Sequence, residues 1–135
     1  MATRSNIAVK NQEGTVDYIY CHWDGYPQYV GKVLTNHYQD MDRVNALMKL
    51  GNLSFLGSEI GEKHEFGKSP NPTWCTAYGR DRNEPNNSVK TSTLEELLAD
   101  DYVDYLYVFD GEFWSCYSLY KKQWIELYAN VPSLS

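Results

Sequence analysis

The sequence is poor in several things at once. Its 135 residues include only three cysteines, twelve basic side chains against eighteen acidic ones, and no apolar run longer than a few residues. Three scattered thiols, Cys21, Cys75 and Cys116, do not make a disulfide framework and fit a reducing cytoplasm. The missing apolar run leaves no candidate for a membrane-spanning helix. The opening MATRSNIAVKNQ lacks the apolar core and cleavage site of a secretory signal. With a formal charge of −6 and no basic cluster, direct binding to nucleic acid is not expected, because phosphates must be neutralised by grouped Lys and Arg. Metal and cofactor motifs are missing as well. There is no CxxC, HxxxH, HExxH, GxSxG elbow or phosphate-cradling glycine loop, so neither metal nor cofactor is expected.

What is present is aromatic. Twelve tyrosines bring large apolar area with a polar tip, a composition suited to sheets and wet contact surfaces. The length suits a single domain, residues 1–135, with its own core. Residues 5–10 and 16–23 read as a hairpin turned at Asn11–Gly14, with Ile19, Cys21 and Trp23 on the core face and Tyr18, Tyr20 and His22 on the other. Helical spacing follows over 28–38 (Val30, Val33, Leu34, His37, Tyr38), opened by Pro27. Asp40 is an N-cap for a second helix that carries Val44, Leu47, Met48 and Leu50 inward and stops at Gly51. Leu53, Phe55, Leu56 and Ile60 suggest a helical turn, 61–72 a polar connection, 74–78 a strand and 79–90 a polar loop. Ser92 and Glu95 form a capping box for a helix over 94–99. Residues 103–109 and 113–118 form a hairpin on a type I′ Asp110-Gly111 turn, and 123–128 a last strand. This order predicts an α+β fold, a mostly antiparallel sheet of five or six strands with helices packed on one face.

The densest chemistry lies in YCHWDGYP, residues 20–27. Cys21 and His22 are adjacent, so in a strand they point to opposite faces and make a poor metal pair. Cys21 on the core face is also a poor nucleophile, since burial disfavours the thiolate. His37 reads as a core histidine, and His64 sits in a polar loop without an evident partner. A polar constellation remains, with His22, Asp24 and Tyr26 at one strand end and Arg80, Asp81 and Arg82 after another. If the two meet, three readings are open. They form a salt-bridged loop junction, or a site for an anionic ligand such as a nucleotide with Arg80 and Arg82 as donors, or an enzyme centre with His22 as acid–base beside Asp24.

A second lead is charge. Between Thr91 and Tyr120 stand Glu95, Glu96, Asp100, Asp101, Asp104, Asp110 and Glu112 without a single Lys or Arg, interleaved with Tyr102, Tyr105 and Tyr107. Such a run is an ordinary solvated face, or an acidic, aromatic surface complementary to a basic groove on a partner protein. A Tyr-rich sheet with an open edge also makes a homodimer the expected form of self-association.

The segments MATRSNIAV, YIYCHWDGYPQYVGKVLTNHY, LGNLSFLGSEIG and AYGRDR resemble a family of small proteins of tailed bacteriophages and prophages, over most of the chain. The resemblance implies a context: an accessory protein in the host cytoplasm that acts without catalysis, by binding a host protein and blocking or redirecting it. A phage protein that sequesters a nucleotide signal is the alternative it implies.

Overall fold

The computed structural model describes residues 2–128. One sheet takes eight strands: β1 (Ser5–Lys10), β2 (Val16–Cys21), β3 (Leu53–Phe55), β4 (Thr76–Ala77), β5 (Lys90–Ser92), β6 (Tyr105–Phe109), β7 (Trp114–Ser118) and β8 (Gln123–Ile125). Their order is β4-β3-β2-β1-β6-β7-β8, and β5 pairs with β2 beside β3. Four α-helices accompany them: α1 (Lys32–His37), α2 (Met41–Leu50), α3 (Tyr78–Arg82) and α4 (Leu94–Leu98). A π-helical turn, Pro27–Gly31, leads into α1 with Pro27 at its start, where the absent N–H costs nothing.

The fold is sheet-rich and mixed α/β, with more strands than expected and less antiparallel. The neighbouring pairs β1–β6 and β2–β3 are parallel. The two short strands β3 and β5 account for part of the difference. Gly51, at φ +74°, ends α2 and returns the chain beside β2, where the Asn52 side-chain oxygen Oδ1 accepts the Tyr20 N–H at 2.9 Å. Leu53–Phe55 is therefore drawn into the ladder as a strand, not a helical turn. The predicted strand 74–78 shrinks to Thr76–Ala77, because Tyr78–Arg82 coils into α3. The last strand stops at Ile125, short of the predicted Tyr128.

Helices cover both faces of the sheet, not one. Ile7, Val9, Ile19, Cys21, Tyr107 and Phe109 point to one side, against Val30, Leu34 and Tyr38 of the first helical segment and Val44, Leu47 and Met48 of α2. The alternating residues Ala8, Val16, Leu106 and Val108 point to the other, against Leu97 and the half-buried Leu94 and Leu98 of α4. Period-two alternation feeds both cores. Tyr107 is fully buried on the first side, its hydroxyl donating to the Gly25 carbonyl at 2.7 Å. It thus leaves the proposed aromatic face. His37 is exposed, not in the core, because the inward stripe runs Val30, Leu34, Tyr38.

Two turns are capped differently from expectation. The N-cap of α4 is Thr93, whose hydroxyl accepts the Glu96 N–H at 3.1 Å, since Ser92 is held in the ladder opposite Val16. The β6–β7 loop bridges the pair Phe109–Trp114 with four residues, so no type I′ turn forms. Instead the Asp110 carboxylate accepts the N–H groups of Glu112 and Phe113, both at 2.8 Å. Among the described residues no helix is long and apolar enough to cross a membrane.

Candidate binding rim

The strand register defines one end of the sheet. Ser5 pairs with both Cys21 and Tyr105, and Tyr105 pairs with Ser118. The segments just beyond these pairs, residues 2–4, 22–26, 100–104 and 119–121, therefore line a common rim. Four strands at about 4.8 Å spacing make it roughly 15 Å across.

The rim collects aromatic side chains that the core does not use. Trp23 is 44% exposed, Tyr26 37%, Tyr102 60% and Tyr120 88%. Trp23 was expected in the core. The β2 ladder ends at Cys21, and Asp24 at φ +57° turns the chain, leaving Trp23 past the last core position. Its indole packs edge-on against His22 at 4.7 Å. His22 neighbours Tyr20 at 5.9 Å, and Tyr20 neighbours Tyr102 at 5.7 Å. The Arg4 guanidinium lies over the Tyr102 ring at 4.8 Å. Tyr20 and His22 occupy the second face of the sheet where α4 no longer covers it.

Hydrogen bonds hold this arrangement. The Tyr20 hydroxyl and His22 Nδ1 are 2.7 Å apart. Burial, then the Arg4 charge, lowers the His22 pKa and favours a neutral ring. Burial and the neighbouring Tyr102 raise that of Tyr20, partly offset by Arg4. Gly25 donates to the Thr3 carbonyl at 2.8 Å, and a Cβ there would stand 2.8 Å from that oxygen and 2.9 Å from Ser5. A glycine is thus required by close approach, while Asp24 takes the left-handed turn conformation.

Carboxylates surround the aromatics. Asp104 accepts the Arg4 N–H at 3.2 Å, and Asp100 accepts Asn6 Nδ2 at 3.1 Å and the Tyr102 N–H at 3.0 Å. Asp24 accepts the Tyr26 hydroxyl at 3.4 Å, and Asp101 is exposed. The acidic residues do not form one face. Asp110 and Glu112 follow the far end of β6, Asp110 six positions or roughly 20 Å from Asp104. Glu95 and Glu96 open α4, which starts beside the Val16 end of β2. Asp100, Asp101 and Asp104 alone belong to the rim.

The GRDR segment is elsewhere, and no hydrogen bond or ion pair among the described residues joins it to His22 or Asp24. Arg80 Nε and Nη2 grip the Asp81 carboxylate at 2.9 and 3.1 Å, while Nη1 and Nη2 donate to the carbonyls of Ile60 and Cys75, each at 2.8 Å. Asp81, buried, also accepts the N–H groups of Ala77 at 2.8 Å and His64 at 3.1 Å. Burial alone would raise its pKa, but these bonds and the Arg80 charge hold it below 3.8. Arg82 pairs with Glu84 at 2.6 Å and lies over Phe66. GRDR is a junction, as one reading proposed, but to the 59–75 loop and not to YCHWDGYP. A 450 Å³ cavity borders Arg80, Lys49 and the 84–88 segment, but the Arg80 guanidinium is engaged by Asp81 and the Ile60 and Cys75 carbonyls.

Thr76, His64 and Asp81 lie in the order of a hydrolytic triad. His64 Nε2 is 3.2 Å from Thr76 Oγ1, and Nδ1 is 3.6 Å from Asp81. The closer neighbour of Nδ1 is the Glu62 carbonyl at 2.8 Å, and Thr76 is 92% buried, so the group straps a loop and offers no reachable nucleophile. The cysteines are equally withdrawn. Burial pushes the Cys21 and Cys116 thiols up to about 12. Among the described residues no three His, Cys, Asp or Glu side chains converge as a metal site.

No family model, curated protein or solved structure matches this chain. The rim residues absent from the sequence reading are Arg4, Trp23 as an exposed group, and Tyr120. The available signal was register, since Arg4 immediately precedes β1 and must lie beside whatever follows β2.

Proposed function

We propose that this protein is a non-enzymatic binding factor that docks its aromatic, acidic rim on a basic surface of a partner protein. The observation that carries this reading is the convergence of Trp23, Tyr26, Tyr102 and Tyr120 with Asp24, Asp100, Asp101 and Asp104 at one end of the sheet. Trp and Tyr supply most of the energy at protein interfaces, in large rigid contacts that exclude water. The carboxylates add long-range attraction to a cationic partner and select against acidic ones. Two cations, Arg4 and Lys121, stand against four carboxylates, so the local sign is negative.

The phage resemblance supplies the setting: an accessory protein in the host cytoplasm whose partner is a host protein, one that itself grips nucleic acid with a basic groove. The nucleotide reading loses support because Arg80, its principal donor, has its Nε and both Nη nitrogens engaged by Asp81 and two carbonyls. The test is affinity capture of the tagged protein from host lysate, with bound proteins and small molecules both identified by mass spectrometry. A basic protein retained by wild type and lost with Trp23→Ala supports the reading. A co-purifying nucleotide that survives Trp23→Ala would replace it with the ligand alternative.

A further inference from the structure

The Arg4 side chain is imperfectly satisfied. Its guanidinium rests on the face of a tyrosine that is 60% exposed, and its Nε is buried without any hydrogen-bond partner. Arg4 as a whole is only half-buried, but an N–H shut from water and left unpaired destabilises the arrangement that holds it. What holds it is the ring face of Tyr102 and the neighbouring Tyr20 side chain, with the Asp104 carboxylate at the Arg4 main chain and Asp100 at the Tyr102 main chain. An aromatic face with two carboxylates bound at the adjoining main chain attracts a cation in general, not Arg4 in particular.

We propose that the Tyr102 face is a cation seat for an arginine or lysine side chain of the partner, and that Arg4 is an internal occupant displaced on binding. This rests on the reading of the rim as a surface for a basic partner. A partner cation gains the ring and the nearby carboxylates, while Arg4 swings into water and regains hydration at Nε. Arg4 then weakens the complex it sits in, although it lies at the centre of the interface.

The test uses an arginine-rich peptide as the probe and measures its affinity by titration against the folded full chain. Arg4→Ala is expected to bind the peptide about three- to tenfold more tightly than wild type. Removing any positive charge from an acidic rim helps a cationic peptide, so Lys121→Ala serves as the charge control, with a smaller expected gain. In a Tyr102→Leu background the extra gain from Arg4→Ala should vanish, because the seat is gone. Circular dichroism checks that each variant is folded. Weaker binding by Arg4→Ala would overturn the proposal, showing that Arg4 itself holds a partner acceptor. Equal gains from Arg4→Ala and Lys121→Ala would overturn it too, reducing the effect to net charge and leaving the acidic rim intact as a docking surface. No peptide binding by any variant would sink the proposal and the rim reading together.

Discussion

Replacing Asp81 by alanine should be among the most damaging single changes in this protein. The carboxylate is inaccessible to water and receives four hydrogen bonds: two from Arg80 and one each from the Ala77 and His64 backbones. Removing one partner of a buried ion pair costs about 3–5 kcal/mol. The low end applies here, because Arg80 keeps the Ile60 and Cys75 carbonyls. Each orphaned N–H adds about 1 kcal/mol where water does not replace the carboxylate. These terms overlap, so the expected loss is about 4 kcal/mol, or a fall in Tm of roughly 12–15 °C for a chain of this size. Asp81→Asn keeps the shape and one acceptor and should cost about half as much. Urea unfolding followed by tryptophan fluorescence at neutral pH measures both. The sign with pH is fixed by the lowered carboxyl pKa. The stability this group adds is complete above its unfolded value near 3.8 and is lost as pH falls through its lower folded value. Arg80→Ala removes the chief support of the charged form, so acid unfolding of that variant should begin at higher pH. A loss below about 1 kcal/mol for Asp81→Ala, or an unchanged acid transition in Arg80→Ala, would refute the junction argument.

Two further outcomes follow from local geometry. Gly25→Ala drives a methyl to 2.8 Å from the Thr3 carbonyl and should cost about 1–3 kcal/mol, read by thermal unfolding. Thr93→Ala should cost about 1 kcal/mol by removing the α4 cap, and Ser92→Ala much less, since the cap bond runs from Glu96 to Thr93.

Much of the fold was legible where one signal acted alone. The Asp40 cap, the Gly51 stop and the inward Val44, Leu47 and Met48 of α2 follow from helix chemistry within ten residues, and the structure has all of them. The first hairpin followed from alternation and a turn in the same way. Failures occurred where tertiary pairing overrode local preference. Leu53–Phe55 has no strand signature of its own and becomes one only because β2 offers an edge. Ser92 looked like a cap but is claimed by Val16 across the ladder. The parallel β1–β6 pair links residues a hundred positions apart, which no local pattern reports. The candidate site suffered from the same blindness. His22, Asp24 and Tyr26 were identified from their chemistry, but the cation near His22 is Arg4, not Arg80 or Arg82, because the register of β1 decides who meets the end of β2.

The central claim is that binding is carried by one end of the sheet, and end-specific charge changes test it most directly. Asp101→Lys with Asp24→Asn alters charge at the rim without touching the structural bonds of Asp100 and Asp104, and asparagine tolerates the positive φ of residue 24. Asp110→Asn with Glu112→Lys alters the opposite end. Affinity for the partner captured from host lysate, measured at low salt and again at about 0.5 M, should fall at least tenfold for the first pair at low salt and converge at high salt. The second pair should bind like wild type. A loss confined to the Asp110 and Glu112 variant, with the rim variant unaffected, would contradict the account.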